Sequence, residues 1–227
     1  MPEAGTVAIV DRLLSRGDCF VDIGPNVGIY SLIAAHRVGR EGKVLAFEPT
    51  PSTQAALRMT MVVNGLSDLV SMYDFALGSE DGTATLHCEA TSGHNSLLMS
   101  SNPAIDTVEV PVRRGDELLQ GLKPTLLKID VEGWEVELLD GLKATIMANP
   151  DIALIVEYSP EHVRRAGLKP DEWLGRVRAG GLNLWLVDDD DLVLRRFDES
   201  KPFPNETGNL FMARRLPDAL RAMEVRA

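Results

Sequence analysis

Two hydrophobic rhythms alternate along the first two-thirds of the chain. Short apolar runs of strand length are followed by stretches in which apolar residues return every three or four positions, the period of a surface helix. The runs "CFVDI" (19–23), "KVLAFEP" (43–49), "LVSMYDFAL" (69–77), "TLLKIDVEG" (125–133) and "DIALIVEYS" (151–159) predict buried strands. Helices are predicted over "TVAIVDRLLSRG" (6–17), "GIYSLIAAHRVG" (28–39), "PSTQAALRMTMVVNG" (51–65), "GDELLQGL" (115–122) and "WEVELLDGLKATIMANP" (134–150). A further helix, "PEHVRRAGLKPDEWLGRVRAGG" (160–181), breaks near Gly167 to Pro170. Gly17, Gly39 and Gly65 stop the first three, and Ser52 or Thr53 caps the third.

The pattern then changes. "GTATLHCEA" (82–90) and "DTVEVPVRR" (106–114) alternate apolar with polar, as half-exposed antiparallel strands do. Between them runs "TSGHNSLLMSSNPAI" (91–105), a long stretch of small polar residues of the kind that carries function. "LNLWLV" and "LVLRRFD" flank four aspartates, 188–191, as a hairpin with a solvated turn, and "GNLFMARR" (208–215) is a last strand. Strand–helix alternation implies an α/β fold: a doubly wound, mostly parallel sheet with helices on both faces, an antiparallel edge strand and an extra β-hairpin. The chain, 1–227, reads as a single Rossmann-like domain, with an N-terminal helix in 1–17, a β insertion with a substrate loop in 83–113 and the hairpin in 182–197.

A chain of 227 residues suffices for one such core. Its formal net charge of −11 argues against a nucleic-acid partner, since such binding rests on Lys and Arg neutralising phosphates. Cys19 and Cys88 lack metal-ligand spacing, and neither a leader pattern nor a membrane-length apolar run is present. The expectation is a cytoplasmic protein with no membrane partner.

The chemistry is concentrated in the turn "DIGPNVG". A dinucleotide fingerprint needs G-x-G-x-x-G after its first strand; here Gly24-Pro25-Asn26-Val27-Gly28 lacks the middle glycine. Pro25 also removes a backbone N–H, the group a pyrophosphate requires. A nucleoside ligand without phosphates, S-adenosylmethionine, does not miss it. That ligand calls for an acid near its ammonium group, for which Asp22 stands ready, and an acid for its ribose. Glu48, closing the second strand, has the right spacing for the latter.

A second constellation, "KIDVEGWE", puts Lys128 and Asp130 on one strand face, with Glu132 at the following turn. Glu157 ends the next strand at the same sheet edge. Charges at an apolar strand end are costly unless paired or working. Asp130 or Glu157 is then a candidate base for an acceptor hydroxyl. Alternatively Asp130, Glu132 and Glu157 hold a divalent ion, Mg²⁺ in preference to zinc because no histidine stands nearby. His94, in the polar loop, is a third candidate base. Asn95 and Ser96 beside it, and Trp134 after the acids, are candidate substrate contacts, while Glu135 and Glu137 read as solvated helix charges.

"FVDIGPNVGIYSLIAA", "GKVLAFEPTPSTQAAL", "ALGSEDGTATL" and "LLKIDVEGWEVELLDGL" together resemble the FkbM-type methyltransferases, in order from about Gly17 to Tyr158. The resemblance implies a class I Rossmann-like fold and S-adenosylmethionine-dependent O-methylation of a sugar or polyketide-type acceptor. By position it implies Asp22, Gly24, Asn26 and Gly28 at the methionine end of the cofactor and Glu48 on the ribose. Phe75 and Ala76 border the adenine, or Asp74 reaches its amino group. Relatives more often carry Ala where Pro25 stands. The rival readings are an NAD-dependent oxidoreductase and a non-catalytic binding domain on the same fold.

Overall fold

The computed structural model describes residues 3–88, 95–97, 106–198, 203 and 206–225. Its elements in chain order are α1 (Ala4–Leu13), β1 (Cys19–Ile23), α2 (Ile29–Val38), β2 (Lys43–Phe47), α3 (Pro51–Val63), β3 (Val70–Tyr73), β4 (Ala76–Gly78), β5 (Gly82–Cys88), β6 (Asp106–Arg114) and α4 (Gly115–Leu118). There follow β7 (Leu126–Ile129), α5 (Glu135–Asp140), α6 (Lys143–Ala148), β8 (Ala153–Tyr158), α7 (Pro160–Arg165), α8 (Pro170–Ala179), β9 (Asn183–Asp188), β10 (Val193–Arg196), β11 (Gly208–Ala213) and β12 (Glu224–Val225).

The main sheet runs β12-β10-β9-β11-β8-β7-β1-β2-β3, parallel from β8 to β3. Side chains alternate across it. Phe20, Val44, Leu126 and Ile155 face α1, α2 and α3, while Val21, Leu45, Leu127 and Leu154 face α5, α6 and α8. Two cores result, one on each face, which is the doubly wound arrangement expected from the sequence. β9 and β10 pair antiparallel as the expected hairpin, and Trp173 and Trp185 are packed in the cores.

Four features differ from the sequence reading. The antiparallel strand β11 is not an edge; it sits between β8 and β9 and bonds to both. Its run Asn209 to Ala213 is buried throughout, as an interior strand requires. The single strand expected over 69–77 is two, β3 in the main sheet and β4 in a separate sheet of order β4-β6-β5. The helix expected over 134–150 is also two. Asp116 ends the first by donating its backbone N–H to the Gly141 carbonyl at 2.8 Å. Its carboxylate then accepts from the N–H groups of Ala144 (3.0 Å) and Thr145 (2.7 Å), seeding α6. Helix α3 begins with Pro51 after Thr50 at the cap position, two or three residues earlier than Ser52 or Thr53.

Candidate functional site

The parallel strands end at one edge, and three turns meet there. After β1, the Gly24 N–H bonds to the Phe47 carbonyl at 3.0 Å, and Ile23 accepts from the Asp130 N–H at 3.0 Å. The turn closes through Gly28 N–H to the Pro25 carbonyl at 2.8 Å, with Asn26 at φ 52°. Gly24 is needed less for a ligand than for the chain itself: a Cβ there would lie 1.8 Å from the Asp130 carbonyl oxygen. At Gly28 a Cβ would meet the Leu57 side chain at 2.4 Å.

Between these turns and the small sheet lies a cavity of about 260 Å³. Gly24, Asn26, Glu48, Ala76, Asn95, Asp130, Glu132, Trp134 and Glu157 are among the residues that line it. Glu3, just before α1, also lines it, held by hydrogen bonds from the Tyr30 hydroxyl (2.9 Å) and the Asn209 amide (2.6 Å). Five lining residues are acids, and none of the described lining residues is Lys, Arg or His.

Glu48 is 6% exposed; one oxygen accepts from the Thr50 N–H at 2.9 Å, and the Asn26 N–H also bonds to it. Burial raises its pKa against those hydrogen bonds. It therefore ties the end of β2 to the Gly24 turn while facing the cavity.

Lys128 and Asp130 share a strand face as expected and form an ion pair at 2.9 Å. The lysine side chain is 1% exposed and the aspartate 31%. Burial opposes the ammonium, but Asp130, with Glu3 and Glu157 behind it, outweighs that, and the lysine is held above its ordinary pKa. Glu157 accepts from Thr207 at 3.0 Å through Oε1, while its buried Oε2 has no hydrogen-bond partner among the described residues. Burial first, then the charges of Asp130, Glu132 and Glu135, push its carboxyl up to about 9.

Several expected contacts fall elsewhere. Asp22 does not line the cavity. It is wholly buried beneath it, accepting from Ser31 Oγ at 2.6 Å. Gly28 packs on α3 and not on the cavity. Phe75 packs with tilted rings against Phe47 and Tyr73, leaving Ala76 alone of that pair at the wall. Ser96 is buried and donates to the Glu132 carbonyl at 2.6 Å, so it pins the loop, while Asn95 faces the cavity. Trp134 donates from its ring to the Leu77 carbonyl at 3.0 Å and presents its remaining surface to the cavity. His94 lies outside the described residues.

Burial pushes Asp22 up to about 6 from 3.8, with Ser31 and Lys128 pulling the other way. The folded carboxyl thus holds its proton more tightly than the unfolded one. Its contribution to stability is complete below about pH 4 and is lost as pH rises through about 6, about 3 kcal/mol in all. Urea midpoints measured from pH 4 to 7 are expected to fall more steeply for the natural chain than for Asp22→Asn. Parallel curves would overturn this.

Two residues were missed by sequence reasoning. Glu135, read as a solvated charge, is 3% exposed and accepts from the N–H groups of Val131 (3.2 Å) and Gly133 (3.0 Å). Burial pushes it up to about 7. His162 comes back from α7, which Ser159 caps by accepting from the Glu161 N–H at 3.2 Å. Its Nδ1 lies 3.8 Å from Glu135 and 3.9 Å from Glu157. Burial, then Arg165, lower its pKa to about 4. The signal for both was position: each follows a parallel strand's carboxyl end by only a few residues. Among the described residues two triads bring ligand atoms within 4.8 Å of one another, Asp130–Glu132–Glu157 and Glu135–Glu157–His162.

Methyltransferase 1 of Beauveria bassiana is 28% identical over 144 residues, 54% of this chain and 57% of that protein. Hexuronic acid methyltransferase AglP of Haloferax volcanii is 29% identical over 145 residues, 62% and 56% of the two chains. The chain thus spans little more than half the length of these relatives. In fold it matches the O-methyltransferase TomG of Streptomyces achromogenes, solved with S-adenosylmethionine, with a TM-score of 0.52 at 11% identity over 93% of this chain and 78% of that one. The model of the methyltransferase FkbM domain matches residues 22–184, and the chain belongs to that family.

Proposed function

We propose that this chain binds S-adenosylmethionine in the cavity and methylates a hydroxyl oxygen of a small, uncharged polar acceptor such as a sugar or polyketide-type molecule. The observation that carries the reading is the lining: Glu3, Glu48, Asp130, Glu132 and Glu157, with no cation among the described lining residues. Even with Glu157 holding its proton at neutral pH, such a wall favours a ligand bearing a sulfonium and an ammonium and repels a pyrophosphate. NAD is disfavoured on that ground as well as by Pro25. An acidic acceptor such as a hexuronate is disfavoured for the same reason.

The residues present fit the cofactor. Glu48 suits two ribose hydroxyls, Gly24 and Asn26 border the methionine end, and Ala76 leaves room for the adenine. Bound there, S-adenosylmethionine supplies a methyl group already activated by positive sulfur. What remains for the protein is alignment and removal of one proton. Lys128 holds one Asp130 oxygen at 2.9 Å, which orients the carboxylate at the cavity wall, where it would take the acceptor's proton. Trp134 and Asn95 bound the space left for the acceptor.

The test is binding. S-adenosylhomocysteine is expected to raise the melting temperature, and NAD is not. Glu48→Ala should weaken S-adenosylhomocysteine by about 10- to 100-fold, the loss of hydrogen bonds to a charged acceptor. Stabilisation by NAD alone would sink the reading.

A further inference from the structure

We infer that Glu135, Glu157 and His162 form a binding site for a first-row divalent metal ion, of the Mn²⁺ to Zn²⁺ type, beside the cavity, which Glu157 lines. Three elements supply the ligands. Glu157 ends β8, His162 lies in the first turns of α7, and Glu135 opens α5. Their facing atoms are Glu135 Oε2, Glu157 Oε2 and His162 Nδ1.

These atoms are close without bonding to one another. His162 Nδ1 stands 3.8 Å from Glu135 and 3.9 Å from Glu157, too far for a hydrogen bond. Both Glu157 Oε2 and His162 Nδ1 are buried with no partner among the described residues. Two orphaned polar atoms of complementary kind, aimed at the same point, each carry a desolvation cost that nothing visible offsets. Metal bonds to carboxylate oxygen or imidazole nitrogen are about 2.1 Å, so two of them span up to about 4.2 Å. An ion can therefore bridge each of the two measured gaps, and all three ligand atoms lie within 4.8 Å of one another.

The surroundings are set for a cation. Glu135 is fixed by its other oxygen, which accepts from two backbone N–H groups. Thr207 likewise fixes Glu157 through Oε1, leaving Oε2 aimed inward. Asp130 and Glu132 add negative charge beside the site, while Arg165 and Lys128 partly offset it. This triad is favoured over Asp130–Glu132–Glu157, because Asp130 is already neutralised by Lys128 at 2.9 Å. The imidazole changes the expected metal. A carboxylate-only site suits Mg²⁺, whereas a nitrogen ligand favours the later first-row ions. The Mg²⁺ expectation rested on there being no histidine nearby, and the fold brings one in.

The experiment is titration calorimetry of the chelator-treated chain with MnCl₂ and MgCl₂, backed by the loss of the free Mn²⁺ electron paramagnetic resonance signal. One Mn²⁺ per chain is expected, with a micromolar or tighter Kd and weaker binding of Mg²⁺. His162→Ala and His162→Gln should each weaken Mn²⁺ at least about 10-fold, and Glu132→Gln, which removes only a neighbouring charge, by no more than about threefold. Two histidine variants guard against a folding defect in one, and circular dichroism checks both. No saturable binding up to about 1 mM, a Kd indifferent to both histidine changes, or a loss on Glu132→Gln matching that on His162→Ala would overturn the assignment. No cofactor or acceptor enters the measurement, so the result stands apart from the methyl-transfer reading.

Discussion

Asp130→Asn is expected to destabilise the chain by about 3 kcal/mol and to lower turnover by at least about 100-fold. The two effects have one origin. Lys128 has a side chain only 1% exposed and, among the described residues, one ion-pair partner, Asp130, at 2.9 Å. Removing that carboxylate leaves a buried ammonium without its counter-charge, a situation that costs about 3–5 kcal/mol. Glu3, Glu157 and Asp22 lie close enough to soften the loss, so the low end of that range applies. The converse change is milder. Lys128→Met removes the buried charge itself, and Asp130, 31% exposed, keeps its water. A cost of no more than about 1–2 kcal/mol is expected. Urea melts of both single variants and the double variant give the coupling directly. A Lys128→Met loss exceeding that of Asp130→Asn would show that the pair is not what holds the strand end.

Gly24→Ala is expected to cost more than about 4 kcal/mol and to leave little folded protein. The glycine sits at φ 77°, where an alanine is already strained by about 1 kcal/mol. Its new methyl would lie 1.8 Å from the Asp130 carbonyl oxygen and 2.9 Å from the carbonyl carbon. Both are backbone atoms, fixed by the β1–β7 ladder, so relief requires the ends of two central strands to separate. Gly28→Ala makes the contrast. It has a similar φ of 89°, but its methyl meets the far end of the Leu57 side chain, which can turn aside. About 1–2 kcal/mol is expected there. Soluble yield and denaturant midpoints for the two variants test the pair. Equal losses would mean that the dihedral, and not the approach of Asp130, makes glycine necessary at position 24.

The β1–Gly24 turn shows both the reach and the limit of sequence reading. Its strand–turn–helix pattern, the missing middle glycine and Pro25 were all legible, and they pointed to a nucleoside ligand without phosphates. The partner that makes Gly24 necessary was not, because Asp130 is more than a hundred residues away. Asp22 is a similar case. Alternation along "CFVDI" places it on the same face as Phe20, but not how deep the covering helix α2 buries it. Glu135 reads as a solvated charge at the start of a helix; only the packing of α5 against β4 and β8 buries it.

By itself the sequence determined what depends on short spacings. That covers the strand and helix periods, the doubly wound class, the glycine turn, the Lys128–Asp130 face and the two strand-end acids Glu48 and Glu157. These follow from local geometry, which repeats every two residues in a strand and every three or four in a helix. The tertiary structure alone decided what depends on which segments meet. It set β11 between β8 and β9, split 69–77 between two sheets, gathered five acids around one cavity and turned His162 back toward Glu135 and Glu157. Burial, and with it the protonation of those groups, is a property of the assembled neighbours, and no single stretch of chain carries it.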